Sequence, residues 1–194
     1  MEYFDIVDNE GLPTGSTVAR ETAHRDGIRH RTAHVWIVRA KPDGYDILLQ
    51  KRSPDKDSFP GLYDTSSAGH IPVGDEPLVS ALRELSEELG LRPAPDRLHF
   101  AGRFWIEYKE VFHNQLFHDN EVTWVYVYED PLDIETLTLQ VSEVTEVCWF
   151  DLQEVWNEVQ TDVSRFCMPI KGLQVLRAWL ADRVPRDLNP PTAE

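Results

Sequence analysis

Hydrophobic residues recur along the chain with two different spacings. Alternation of apolar and polar residues, as in the segment EVTWVYVY over 121–128, predicts strands. Apolar residues three and four apart predict a helix over 75–90, which Asp75 is placed to cap and Gly90 to end. The apolar stripe of this helix, expected to pack against a sheet, consists of Leu78, Leu82, Leu85 and Leu89.

The rest of the chain divides into short strands joined by turns, with a few further helices. Strands are predicted at 3–7, 34–39, 45–50, 63–67, 98–108, 121–128 and 143–150. Helices are predicted at 17–25 with Thr17 as a cap, at 151–159 with a capping box, and at 172–183. With no internal repeat or linker, this order indicates an α/β fold in a single domain over 1–184. The tail over 185–194 is predicted to be flexible.

Composition and charge narrow the classes of function. With 194 residues, 41% of them hydrophobic and 27% charged, the chain is globular in composition and long enough for a substantial core. No stretch reaches the roughly 20 apolar residues of a membrane helix, and no secretory signal is recognisable, so a cytoplasmic location is expected. The formal net charge of −15 argues against a nucleic-acid polymer as partner, because basic surfaces bind phosphate backbones.

Three glutamates lie together near the C-terminal end of the predicted central helix. Glu84, Glu87 and Glu88 are related as i, i+3 and i+4, so their carboxylates point the same way. Mutual repulsion and the negative end of the helix dipole both oppose this arrangement. A bound Mg²⁺ or Mn²⁺ would explain it, since the cation offsets the repulsion and bridges to phosphate oxygens. The alternative interpretation is a solvated acidic face with Arg83 as its partner.

The segment from Gly69 to Leu91 resembles the Nudix box. That box specifies Gly, five residues, Glu, seven residues, then Arg-Glu-apolar-any-Glu-Glu-any-Gly-apolar; the chain matches eight of the nine specified positions, with Asp75 in place of Glu. The resemblance implies a Nudix-type α/β/α sandwich with a mixed central sheet. It also implies attack of water on a diphosphate, dependent on Mg²⁺ or Mn²⁺. The implied metal ligands are Glu84, Glu87, Glu88 and the Gly69 carbonyl, with Arg83 orienting a glutamate.

Residues outside the box are similar to the branch of the family that includes isopentenyl-diphosphate isomerase. By that similarity, Arg52 and Lys56 would hold the diphosphate of a substrate. The similarity implies a second group of metal ligands, made up of His24, His30, His70, Asp119 and Glu121. The catalytic cysteine of the isomerase would fall at Ala68, which has no thiol, and the isomerase box lacks acidic residues where Glu84 and Glu87 stand here. Hydrolysis is therefore favoured over isomerisation.

The sequence thus predicts a metal-dependent hydrolase that cleaves a diphosphate bond in a small phosphorylated metabolite. The substrate is a nucleoside diphosphate linked to another group, or a prenyl diphosphate; an isomerase and a non-catalytic phosphate-ligand sensor are the alternatives. Glu121 is a candidate general base as well as a metal ligand, and His34, in an apolar strand, is assigned a structural role. Specificity is assigned to loops such as 109–119. No membrane partner is expected, and a homodimer is left open.

Overall fold

The computed structural model describes residues 2–183 apart from residues 57 and 163. The predicted flexible tail over 185–194 and the last residue of the predicted domain, 184, lie outside the described residues. The strands are β1 Tyr3–Val7, β2 Pro13–Ala19, β3 His30–Lys41, β4 Gly44–Arg52, β5 Tyr63–Asp64, β6 Ser67–His70, β7 His99–Phe112, β8 Gln115–Tyr128 and β9 Val144–Asp151. The α-helices are α1 Arg20–Asp26, α2 Pro77–Leu89, α3 Leu152–Val159 and α4 Ile170–Ala181.

The central sheet is mixed. Its main path runs in the order β5-β4-β3-β8-β7, with β6 paired to β3 and β9 paired to β4. The β3 and β8 strands are parallel, whereas the other pairs of this sheet are antiparallel. The β1 and β2 strands form a separate antiparallel pair. The predicted α/β class with a mixed central sheet is confirmed.

Helices cover both faces of the sheet because successive side chains of a strand point to opposite faces. On β3, Trp36 packs in a buried cluster with residues of α3 and α4, such as Leu173. Its neighbour Ile37 packs in a second cluster with Leu85 and Leu89 of α2. The predicted leucine stripe of α2 therefore faces the sheet, and the layers form an α/β/α sandwich. No helix in the described part of the chain is both long enough and apolar enough to cross a membrane.

Two predicted helix caps are wrong. Thr17 lies in β2, where it pairs with Asp5 of β1, and α1 begins only at Arg20. The N-cap of α2 is Glu76 rather than Asp75, and its side chain makes no capping hydrogen bond. Asp75 instead completes a turn in which its N–H donates to the carbonyl of Pro72 at 3.1 Å. The end of α2 is as predicted, since Gly90 adopts the left-handed conformation with a φ of 68°.

The segment 109–119, predicted as a loop, is the outer part of a long hairpin. The β7 and β8 strands pair continuously out to Phe112 and Gln115. The turn residues His113 and Asn114 have φ values of 49° and 62°, as a tight two-residue hairpin requires. The hairpin carries the side chain of Phe117 to the wall of the cavity described next.

Candidate active site

A cavity of about 520 Å³ opens between α2, β6, β8 and the loop that follows β4. The predicted site residues fall into two groups relative to it. The predicted residues that line it are Arg52, Lys56, Gly69, His70, Arg83, Glu84, Glu87, Glu88, Asp119 and Glu121. His24 and His30 do not line the cavity but contact His70. The centroid of the His70 ring lies 5.1 Å from that of His24 and 5.2 Å from that of His30. The fold therefore brings every predicted site residue to one region.

Glu88 is the most deeply placed of the box glutamates, with 5% of its surface exposed. Its Oε2 atom accepts hydrogen bonds from Ser67 Oγ at 2.6 Å, the Ala68 N–H at 3.3 Å and Gln50 Nε2 at 3.4 Å. Burial raises the pKa of Glu88 to about 8, although the hydrogen bond from Ser67 opposes the shift. The carboxyl group is thus held in place mainly by neutral donors, and its burial disfavours a negative charge there.

Glu84 lies against the backbone of β6 at Gly69. A Cβ atom at position 69 would stand 2.1 Å from Glu84 Cδ, so only glycine permits this approach. Burial raises the pKa of Glu84 to about 7, against the opposing effect of Arg83, whose guanidinium lies 2.8 Å from Glu84 Oε1. The contact places the Glu84 carboxylate next to Gly69, whose carbonyl is also a metal ligand according to the resemblance to the Nudix box.

Arg83 links the outer glutamates of the box to β6. Its Nη1 donates to Glu87 Oε2 at 3.0 Å, and its Nη2 donates to the carbonyl of His70 at 3.1 Å. The Glu87 side chain is 53% exposed, whereas that of Glu84 is 14% exposed. These contacts support the predicted orienting role of Arg83, which remains a prediction.

A buried histidine cluster stands beside the box. His24, His30, His70 and Glu121 each offer one atom within 4.8 Å of the others, a spacing that could hold a metal ion. The ring of His30 is fully buried, and its Nδ1 donates to the carbonyl of Ile28 at 2.9 Å, which leaves Nε2 as an acceptor directed at the cluster. No partner among the described residues bonds His30 Nε2 or the Oδ1 atom of Asp119.

Two acids complete this cluster. Asp119 Oδ1 lies 3.9 Å from the Nε2 atoms of His24 and His30, and Glu121 Oε1 lies 3.7 Å from those of His30 and His70. Burial lowers the pKa of His24 to about 3 and lowers the pKa of His30 and His70, so the imidazoles are neutral. Burial also raises the pKa of both acids. Neutral imidazoles fit a divalent cation, and His30 Nε2 is left without a partner, whereas the Nε2 atoms of His24 and His70 lie 3.2 Å from each other.

Loss of one imidazole should weaken binding of a cation to the cluster. We expect His30→Gln to weaken Co²⁺ binding by roughly 10²-fold, by analogy with the losses seen when metal ligation is disturbed. The measurement is the visible absorption of bound Co²⁺ during titration of the metal-free protein. His113→Gln, in the exposed hairpin turn, serves as the control and should bind as the wild type does. Equal Co²⁺ affinity in His30→Gln and the wild type would contradict the assignment.

The predicted phosphate-binding cations lie on the cavity wall but are already engaged. Arg52 donates from Nε and Nη2 to the carbonyl of Ser58, at 3.0 Å and 2.8 Å, and from Nη1 to Asp64 at 3.1 Å. Lys56 forms an ion pair with Glu143. Both cations therefore tie down the loop after β4, and their contact with a substrate remains a prediction.

Aromatic side chains form part of the cavity wall. The rings of Tyr108 and Phe117 line the cavity. Trp105 does not, and its Nε1 instead donates to the carbonyl of Asn9 at 2.8 Å. Phe59 joins the wall through the loop after β4, and no local sequence signal identifies it, because its place depends on ring contacts with Tyr108 on a distant strand.

An α/β/α sandwich with a carboxylate-bearing helix set against a glycine of a short strand defines the structural class of this protein. A family model described as the NUDIX domain matches residues 28–166. The chain belongs to the Nudix hydrolase family.

Relatives divide between hydrolases and isomerases. Nudix hydrolase 3 of Arabidopsis thaliana is 42% identical over 158 residues, which cover 80% of this chain but only 20% of the plant protein. An isopentenyl-diphosphate Delta-isomerase of Dinoroseobacter shibae is 34% identical over 150 residues, covering 77% of this chain and 79% of the isomerase. A crystal structure of a Deinococcus radiodurans protein shares the fold, with a TM-score of 0.63 and 16% identity, and covers 91% of this chain and 98% of its own.

Proposed function

We propose that this protein is a pyrophosphohydrolase that cleaves a diphosphate bond in a small phosphorylated metabolite with the help of Mg²⁺ or Mn²⁺. The observation that carries the proposal is a pair of carboxylates at a cavity: Glu84 is half-buried against the backbone of Gly69, and Glu88 is buried against Ser67 and Ala68. A stability-driven sequence would not bury these charges without compensation. A divalent cation held by Glu84 and Glu88 would provide it.

The residues present fit such cations. Glu84, Glu88 and the Gly69 carbonyl would form an oxygen-only set of the kind that Mg²⁺ and Mn²⁺ prefer, while the histidine cluster suits a softer divalent cation. A bound cation supplies Lewis-acid activation of the diphosphate and of the attacking water. Arg83 keeps Glu84 and Glu87 in orientation through its contacts with both.

The remaining charged residues handle the substrate and the proton. Arg52 and Lys56 would bind phosphate oxygens by exchanging contacts with their own loop for contacts with the anion. A water oxygen attacks phosphorus, the anhydride P–O bond breaks, and a carboxylate on the cavity wall takes the proton of the water. Glu121, which accepts from Thr32 Oγ1 at 3.0 Å, is a candidate for that carboxylate.

A substrate screen tests the proposal. Purified protein with Mg²⁺ or Mn²⁺ is incubated with nucleoside diphosphate-linked compounds and with prenyl diphosphates, and products are identified by mass. We expect release of phosphorylated products that stops when the metal is chelated. Absence of any hydrolysis would contradict the proposal. A separate NMR assay monitors isopentenyl diphosphate. Its conversion to dimethylallyl diphosphate without loss of phosphate would establish an isomerase instead.

Isomerisation is the second candidate because relatives of both kinds exist and the histidine cluster is present. Position 68, where the isomerase thiol is expected, carries a methyl group. Cys167 also lines the cavity, but its Sγ lies 3.5 Å from the carbonyl of Tyr63 and burial raises its pKa. This thiol is therefore protonated, which makes it a poor base for removing a proton from carbon.

A further inference from the structure

The strand β7 lies at the end of the central sheet, and no strand in the described part of the chain pairs with its outer edge. The hairpin turn determines which residues face that edge. In a two-residue turn with positive φ at both positions, the flanking residues, here Phe112 and Gln115, exchange both backbone hydrogen bonds. The direction of bonding alternates along a strand, and the register with β8 is regular from Gly102 to Phe112. The residues whose backbone N–H and C=O groups point outward are therefore Trp105, Glu107, Lys109 and Val111.

Most of these outward backbone groups have no partner within the described part of the chain. The carbonyl of Trp105 accepts from Lys171 Nζ at 2.8 Å, which agrees with its outward direction. The backbone groups of Glu107, Lys109 and Val111 that face this edge bond to none of the described residues. An unpaired edge is a template for another strand, and a proline or a bulge is a common protection against such pairing. Neither interrupts β7 between 103 and 112, so this part of the strand can accept a partner.

The side chains of these four residues complement a second copy of themselves. They share one exposed face of β7 and carry, in order, an aromatic ring, an acid, a base and a β-branched chain. When two copies of the strand pair antiparallel about Tyr108, Glu107 of each copy lies opposite Lys109 of the other. Trp105, 43% exposed, then lies opposite Val111, 65% exposed, so the pair buries apolar surface that a single chain leaves in water. Opposite charges and aromatic–β-branched pairs both stabilise adjacent strands.

The charges also select one register. The two nearest registers that keep the outward backbone groups opposed are centred on Glu107 and on Lys109, and each places that residue opposite its own copy. Like charges directly opposite one another destabilise a sheet. In the register centred on Tyr108, Glu107 can contact the second copy through Oε2, because its contact with His118 within the chain, at 3.0 Å, uses Oε1.

We propose that the β7 edges of two copies of this chain pair to form a homodimer with two-fold symmetry, in which reciprocal Glu107–Lys109 contacts fix the register. The interface is isologous, as a two-fold axis requires, and it joins the central sheets of the two copies. The axis passes Tyr108, whose side chain lines the cavity, so the interface adjoins the candidate site. The proposal stands on the sheet edge alone and is independent of the proposed function.

Reciprocal charge reversal tests the pairing by analytical ultracentrifugation of the full chain. A short paired edge buries less surface than a standard interface, so we expect the wild type to dimerise with a Kd on the order of 10 µM. Glu107→Lys and Lys109→Glu each set like charges opposite one another and should weaken dimerisation by about tenfold or more. An equimolar mixture of the two variants should dimerise again, because every acid of these pairs then faces a base of the other chain.

Two further variants separate the pairing from other effects of charge. Glu110→Lys makes the same change of charge nearby, but the register places this position opposite Ile106, so the variant should dimerise as the wild type does. Lys109→Pro removes an outward N–H without removing a hydrogen bond to β8, and it should be a folded monomer by circular dichroism. A wild type that stays monomeric up to about 1 mM overturns the proposal and leaves the edge to solvent or to a different partner. Dimerisation retained by both reversal variants, or absent from their mixture, overturns it as well, and so does an equal loss in Glu110→Lys.

Discussion

Replacing Glu88 with glutamine is expected to lower metal-dependent hydrolysis by on the order of 10²–10³-fold without unfolding the protein. The amide oxygen of glutamine can still accept from Ser67 and Ala68, so the local structure survives. The variant loses the negative charge that a cation requires. Because burial raises the pKa of Glu88 to about 8, removing this charge should not destabilise the metal-free protein.

The loss of activity and the loss of stabilisation by the metal are measured separately. Steady-state hydrolysis with Mg²⁺ gives the loss of activity, and thermal unfolding with and without the metal gives the loss of stabilisation by the cation. Glu76→Gln is the matched control, because Glu76 is an exposed glutamate at the other end of the same helix. Near-wild-type turnover in Glu88→Gln would remove Glu88 from the metal site. A comparable loss in Glu76→Gln would mean that the assay reports the helix as a whole.

The central helix could be predicted from the sequence because its signals are local. Its leucine stripe, its terminal glycine and the spacing of its glutamates all lie within two dozen residues. The one local error, Asp75 as cap, arose where two adjacent acidic residues compete for the same position. The turn hydrogen bond from Asp75 to Pro72 decides in favour of Glu76. Local periodicity thus predicts an element better than it predicts its first residue.

The second strand of the N-terminal pair and the outer part of the β7–β8 hairpin were not predicted, because these segments are held in strands by their partner strands. Thr17 looks like a helix cap in sequence, but pairing with Asp5 holds it in a strand. In the outer hairpin, Lys109 pairs with His118, and neither residue has a strong preference for strands. Tertiary pairing overrides such weak preferences.

The histidine cluster shows how much of the site depends on topology. Its candidate ligands come from α1, β3, β6 and β8. Because they are far apart along the chain, no sequence spacing predicts them, and they were predicted only from the resemblance to a family. His34, to which the sequence assigns a structural role, also lies on the cavity wall, on the strand β3 that pairs with β6.

The short strand β6 joins the two groups of donors. Gly69 abuts Glu84 of the box, and the next residue, His70, contributes its ring to the histidine cluster. Arg83 donates to the carbonyl of the same His70 while it contacts Glu84. A displacement of β6 would therefore disturb both groups together, which makes this strand the most sensitive point of the site.

Substitution of Gly69 by alanine is expected to lower hydrolysis by about 10²-fold, the effect of displacing a reacting group by roughly an ångström. The added Cβ would stand 2.1 Å from both Cδ and Oε1 of Glu84, so the carboxylate must move away from β6. The atoms that move are the end of a flexible side chain, and the backbone at position 69 does not have the positive φ that favours glycine. The thermal stability of the metal-free protein should therefore change little.

Gly15 provides a control that separates an effect on activity from an effect on stability. A Cβ at Gly15 meets nothing within 4 Å, but its φ of 87° strains any other residue. We expect Gly15→Ala to lower stability by about 1 kcal/mol and to retain activity, whereas Gly69→Ala loses activity and retains stability. The measurements are kcat/KM and thermal unfolding of both variants. Full activity in Gly69→Ala would show that the position of the Glu84 carboxylate against β6 is not required for the reaction.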